Sequence, residues 1–218
     1  MNHRLTRRTL LVATAGGVAA TALALGGASA NDPWPTKPIR VIMPFGAGGS
    51  MDTLCRLLAP IVSETLGQQV VVENRPGATG TVTMAAVAAA PADGYTLMFT
   101  GSSYSIIALL MPNLPFKMDA FTPLSRLTVG PTLLAVPAQL GIKTMAEFVA
   151  AAKKQPGKWS YGSSGIGTSV HLGGELFKMA AGVDLVHVPY RATPAIVADL
   201  LENRLQMSVL GVADCRQY

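Results

Sequence analysis

Two stretches of this chain have the residue types to hold a small anion. The first is Pro44-Phe45-Gly46-Ala47-Gly48-Gly49-Ser50, and the second is Gly162-Ser163-Ser164-Gly165-Ile166-Gly167-Thr168. Each follows a short apolar run and precedes an amphipathic stretch. Each therefore reads as the turn from the carboxyl end of a strand into the start of a helix, the place where α/β sheets bind ligands. A helix start offers unpaired N–H groups and about half a positive charge. Glycine lets the backbone come close to a ligand and adopt positive φ. Ser50, Ser163, Ser164 and Thr168 add hydroxyls. The implied chemistry is recognition of a small anion by dipoles, without paired lysines or arginines. A capped tight turn has the same composition, but two such loops in matching positions favour binding.

Sharper motifs fail on their spacing. A dinucleotide fingerprint starting at Gly46 meets Met51 at its third glycine position, and one starting at Gly165 meets Val170. The chain has no GK[ST] phosphate loop. A nucleophile elbow starting at Gly162 breaks at Ile166, which argues against Ser164 as a nucleophile. Asp52, in the first turn of its helix, either contacts a ligand's amino or hydroxyl group or pairs with Arg56 one turn on. His171 follows the second loop with no Ser/His/Asp or Cys/His set around it. Tyr190 and Arg191, after Val188-Pro189, either close a cleft or form a turn with a packed aromatic.

The elements that must position these residues follow from periodicity. Ile39–Met43 reads as a buried strand. Residues 51–66, with Leu54, Leu57, Leu58 and Ile61 at helical spacing, form an amphipathic helix stopped by Gly67. Val70–Glu73 is a second strand, followed by a turn-rich loop over 74–80. A helix over 82–90 and a third strand over 95–100 come next. Residues 101–130, with scattered Pro, Gly and Met, are expected to form an edge segment and a crossover. A second unit follows: a strand over 133–136, then a helix through Lys154 with a Thr144/Glu147 capping box. Next come a strand over 159–161 and a helix through Ala181 with Leu172, Leu176 and Met179 on one face. The unit ends with a strand over 185–188, a helix over 194–203 and a strand over 206–210. Strands alternating with helices predict the α/β class with parallel sheets. Two such units, each with a glycine loop, suggest two lobes facing a cleft.

The 218 residues carry 17 basic and 12 acidic side chains, for a net charge of +5. Half the chain is apolar and 13% is charged, which excludes a disordered chain. Cys55 and Cys215 are too far apart in sequence for a zinc site of the CxxC type and too few for a disulfide framework. Arg4, Arg7 and Arg8 precede an uncharged run from Thr9 to Asn31 that ends in Ala28-Ser29-Ala30. This is the pattern of a cleaved secretory signal peptide over 1–30. Its Arg7-Arg8 pair fits a twin-arginine signal and an ordinary secretory n-region equally. Residues 1–30 hold three of the 17 basic residues and no acid, so 14 against 12 leave a net charge of +2. The excess of basic charge is therefore mostly targeting, and nucleic acid is not an implied partner.

Several stretches in combination resemble one family, the Bug-type periplasmic solute receptors of tripartite tricarboxylate transporters. They are Trp34-Pro35-Thr36-Lys37-Pro38-Ile39-Arg40, the first glycine loop with Met51-Asp52, and Leu66 through Ala78 with its Val-Glu-Asn-Arg-Pro-Gly-Ala run. Pro91-Ala92-Asp93-Gly94-Tyr95-Thr96-Leu97, the second glycine loop with His171-Leu172, and Val188-Pro189-Tyr190-Arg191 complete the set. The resemblance implies a two-lobed periplasmic binding protein of type II topology. Residues 31–125 would form a first lobe lacking its return segment, and residues 126–218 a second lobe. It implies capture of a small organic acid and handover to a membrane permease, without cofactor or metal, by a soluble protein that is monomeric when complete. Carried over, the ligand-binding residues are Phe45, Gly46, Ala47, Gly48, Gly49 and Ser50, with Ser163, Ser164, Gly165, Gly167 and Thr168. Asp52, Thr100, Gly101 and Ser102 would line the other side. Ala192 and Glu202-Asn203-Arg204 depart from the family's glycine-containing turns. Asp214 to Tyr218 does not resemble the expected continuation, which suggests a truncated or frameshifted product. The alternatives are a secreted α/β hydrolase using Ser164 with His171, and a non-functional remnant of the receptor.

Overall fold

The computed structural model describes residues 33–216. The expected signal peptide lies outside the described residues. The chain divides into a unit Met1–Thr36 and a unit Lys37–Tyr218, and the strands and helices described lie in the second.

Strand β1 (Ile39–Met43) is flanked in parallel by β2 (Val70–Asn74) and β3 (Thr96–Met98), in the order β2-β1-β3. Ile39 pairs with Val70 and Arg40 with Thr96. β1 is central, so four of its five residues are buried on both faces of the sheet. Helix α1 (Ser50–Leu66) follows β1 and ends at Gly67, whose φ of 67° makes the expected left-handed stop. Helix α2 (Thr81–Ala88) links β2 to β3.

The second sheet has the order β4-β7-β5-β6, formed by Thr132–Ala135, Met207–Gly211, Ser160–Ser163 and Val186–Pro189. β4 runs antiparallel to β7, and the other pairs are parallel. Its helices are α4 (Met145–Lys153), α5 (Ser169–Ala181), α6 (Thr193–Leu201) and the single turn α7 (Val212–Cys215). Thr144 and Glu147 form the predicted capping box of α4. One core gathers Phe148, Trp159, Tyr161, Leu185 and Met207. A second joins Ile196, Val197, Leu200, Leu205 and Leu210.

Two sequence expectations differ from the structure. Residues 101–130, expected as an edge segment and a crossover, add no strand to either sheet among the described residues. They hold the helix α3 (Ser103–Leu110), one 3-10 turn at Met118–Ala120, and a largely exposed irregular path. Pro112, Pro115, Pro123 and Pro131 account for this, because proline cannot donate to a strand ladder. The inward faces of two helices also differ from the leucine pattern. In α1 the buried residues are Asp52, Cys55 and Ala59, while Leu57 and Ile61 are more than 60% exposed. In α5 Gly174 is buried, and Leu176 and Met179 face outward. A Cβ on Gly174 would lie 2.3 Å from the Tyr161 ring, so only glycine lets α5 lie so close to β5.

Candidate functional site

The first glycine loop leaves the carboxyl end of β1 and opens α1. Its N-cap, Gly49, is extended and has no side chain to cap the helix. The loop amides find acceptors elsewhere in the chain. Gly46 N–H donates to the Arg191 carbonyl at 3.2 Å. Gly48 N–H donates to Asp52 Oδ2 at 3.0 Å, and Ser50 N–H to Asp214 Oδ1 at 2.9 Å. Gly46 is needed at its place, since a Cβ there would stand 2.7 Å from that of Ala192.

Asp52 fastens this loop from beneath. It is 5% exposed. Its carboxylate accepts from Gly48 N–H, from Arg56 Nε at 3.1 Å and from Asn74 Nδ2 at 2.9 Å. Asn74 also donates to the Phe45 carbonyl and accepts from Arg56 Nη2. Burial alone would raise the Asp52 pKa, but the hydrogen bonds from Arg56, Gly48 and Asn74 hold it below the usual carboxylate range. The predicted pair with Arg56 is therefore present. Asn74, at the end of β2, is the partner that local spacing could not reveal.

The second glycine loop leaves β5 and opens α5. Thr168 caps α5 by accepting from His171 N–H, and its hydroxyl donates to the Gly165 carbonyl at 2.7 Å. Gly165 and Gly167 have φ of 125° and 82°, conformations that favour glycine. Two imidazoles hold the loop. His171 Nδ1 accepts from Gly167 N–H at 3.2 Å. His187 Nε2 lies 2.6 Å from Ser163 Oγ, which itself accepts from Gly165 N–H. The two rings are 4.3 Å apart. Burial, and next the neighbouring His171, lower the His187 pKa. The Ser164/His171 pairing expected of a hydrolase is thus replaced by Ser163 with His187. Ser163 is fully buried, so no substrate carbonyl reaches it.

Both loops reach one cleft with a cavity of about 240 Å³. Phe45 lines it from the first loop, and Ser164 and Gly165 from the second. The turn Pro76 to Gly80, with Pro44, Tyr190 and Arg191, forms the remaining wall. Gly77, Ala78, Thr79 and Gly80 all have positive φ, a run of strain of the kind that gathers at binding sites. In the sequence this stretch shows only as a turn-rich loop, and its place after the carboxyl end of a parallel strand is the signal that marks it as a site wall. Tyr190 donates to Asp199 at 2.5 Å, which fixes its ring at the rim.

The other predicted site residues lie around this cleft. Ala47 and Gly48 are exposed, and Gly49 and Ser50 are half-buried. Thr168 and Gly167 are buried beneath the second loop. Thr100, Gly101 and Ser102 do not line the cavity. Thr100 Oγ1 is buried and has no hydrogen-bond partner among the described residues. A wider, open hollow of about 390 Å³ between α1 and β2 lies away from both loops. Among the described residues no cluster of His, Cys, Asp and Glu could hold a metal ion, and Cys55 and Cys215 are free thiols. No helix among the described residues is long and apolar enough to cross a membrane.

The family model described as the tripartite tricarboxylate transporter family receptor, TctC, matches residues 54–218. The match runs through Tyr218, so the last residues, expected to depart from the family, fall inside it. A UPF0065 protein from the tcbD-tcbE intergenic region of a Pseudomonas species is 37% identical over 187 residues, 85% of this chain and 56% of that protein. Protein BugT of Bordetella pertussis is 36% identical over 196 residues, 88% of this chain and 60% of that protein. The chain thus spans a little over half the length of these curated relatives. Among solved structures, R. palustris Rpa4515 with adipate shares 33% identity at a TM-score of 0.79, over 84% of this chain and 62% of that one. MatC (Rpa3494) from Rhodopseudomonas palustris with bound malate shares 28% identity at a TM-score of 0.75, over 84% and 63%. The alternation of strands and helices, the paired glycine loops and these matches together establish that the chain belongs to the TctC family of tripartite tricarboxylate transporter receptors and has the α/β fold of these binding proteins over the part of their length that it spans.

Proposed function

We propose that this chain is an extracytoplasmic receptor that captures a small organic carboxylate and presents it to a membrane permease. The observation that carries the reading is the convergence of two helix-opening glycine loops and the 76–80 turn on one cleft. Helix starts and backbone amides favour a carboxylate there. The exposed guanidinium of Arg191 adds a positive charge at the rim. Adipate and malate, held by two structural neighbours, are small dicarboxylates and support a ligand of this class. In this reading residues 1–30 direct export to the periplasm, by the general or the twin-arginine route, and residues 31–125 and 126–218 form the two lobes. The loop residues act by binding, and no residue acts as a nucleophile.

The test is a calorimetric titration of the full chain with adipate, with malate and with 1,6-hexanediol, which has the length of adipate without its charges. The expected result is saturable heat with at least one of the dicarboxylates and none with the diol. Heat from neither acid, or equal heat from the diol, would overturn the reading.

A further inference from the structure

The start of α1 is already held by a carboxylate from the chain itself. Ser50 supplies the first amide of this 17-residue helix, and that amide donates to Asp214 Oδ1 at 2.9 Å. The two residues are 164 positions apart. Asp214 stands on the one-turn helix α7, immediately after β7 of the second sheet. Its carboxylate is packed closely over β7: a Cβ on Gly211 would lie 3.1 Å from Asp214 Oδ2. Among the described residues no lysine or arginine forms an ion pair with it.

The neighbouring amides follow the same plan. Gly46 N–H is taken by the Arg191 carbonyl, also from the second half of the chain, and Gly48 N–H by Asp52. Asp52 belongs to α1 itself. Asp214 is the charged group that reaches this loop from the other sheet. A helix start attracts one negative charge most strongly at its first amides. A second carboxylate brought there meets repulsion from the first.

We propose that Asp214 is an internal latch: its carboxylate occupies the start of α1, holds the end of the second sheet against the first glycine loop, and must be displaced by an incoming ligand carboxylate. This rests on the carboxylate-receptor reading for its consequence but not for the contact. Asp214 would then lower the affinity for a ligand carboxylate at this loop.

The experiment uses the full chain and its Asp214→Ala and Asp214→Asn variants, with two readouts. The first is the ¹H–¹⁵N resonance of Ser50. The latch predicts a downfield Ser50 amide proton in the parent, moving upfield in Asp214→Ala and less so in Asp214→Asn. A Ser50 resonance unchanged by both substitutions overturns the latch. The second is a calorimetric titration with adipate. Asp214→Ala is expected to bind about tenfold more tightly than the parent, with Asp214→Asn between them. Equal or weaker binding by Asp214→Ala overturns the competition. If Ser50 responds but no variant binds adipate, the latch contact stands and the receptor reading fails. If Ser50 does not respond while the parent binds adipate, the receptor reading stands and the latch fails.

Discussion

Asp52 shows how much of this site rests on one side chain. It accepts hydrogen bonds from a loop amide, a guanidinium and a carboxamide while almost fully buried. Asp52→Ala would leave Gly48 N–H without its acceptor and Asn74 Nδ2 with the Phe45 carbonyl alone. The expected loss is about 2–3 kcal/mol in urea unfolding. Asp52→Asn should cost less, because it keeps one acceptor oxygen. The pair with Arg56 was legible in the sequence from its spacing of four. Asn74 was not, because strand pairing and not local spacing brings it to the loop. His187 was likewise invisible, since nothing in Val186-His187-Val188-Pro189 marks the imidazole as the support of Ser163. Its pKa is lowered by burial and by His171, so the folded protein keeps it neutral where the unfolded chain takes up a proton. Its contribution is complete above the unfolded value of about 6.5 and falls away as the pH drops below it. The groups facing it are His171, Glu175 and Lys178, with Tyr161 and Ser163 on its neighbouring strand. Asp52 and Glu175 are held below their ordinary pKa values, so their share is lost only at lower pH, below about 4. Thermal melts across pH should show a first fall in Tm starting near pH 6.5, and His187→Gln should flatten it. An unchanged fall in that variant would place the titrating group elsewhere.

The elements themselves were readable, and their faces were not. Strand and helix positions followed from apolar runs, glycine stops and the capping box, because those signals are local. The inward faces of α1 and α5 did not follow the leucines. Each of these helices lies close to a sheet, and close approach selects Ala, Cys and Gly over Leu. Substitution separates the two kinds of position. Gly174→Ala gains about 1 kcal/mol of helix propensity but drives a methyl group into the Tyr161 ring. The expected net effect is a destabilisation of about 1–3 kcal/mol in urea unfolding. Leu176→Ala, on the exposed face, should stay within about 0.5 kcal/mol of the parent. Were the two to change stability equally, the assignment of the inward face would be wrong. The edge segment expected over 101–130 adds no strand, for a different reason. Its apolar residues resemble a strand in composition, but the prolines deny it a ladder.

At the scale of the whole molecule, one parallel and one mixed sheet place the carboxyl ends of β1 and β5 at one cleft. Topology achieves what neither loop could signal alone: the turn at 76–80 and the rim residues Tyr190 and Arg191 come from sequence positions far from the glycine loops. The class of fold and the two loops were legible because they repeat a strand–loop–helix order. The third wall was not, because its role depends on where the second sheet lies. The most direct measurement is a ¹H–¹⁵N titration of the full chain with adipate. The account predicts that the largest amide shifts fall in Phe45–Ser50, in 77–80 and in Ser163–Thr168. Shifts confined to the hollow between α1 and β2, around Ser63 and Val70, or no shifts at all, would contradict it.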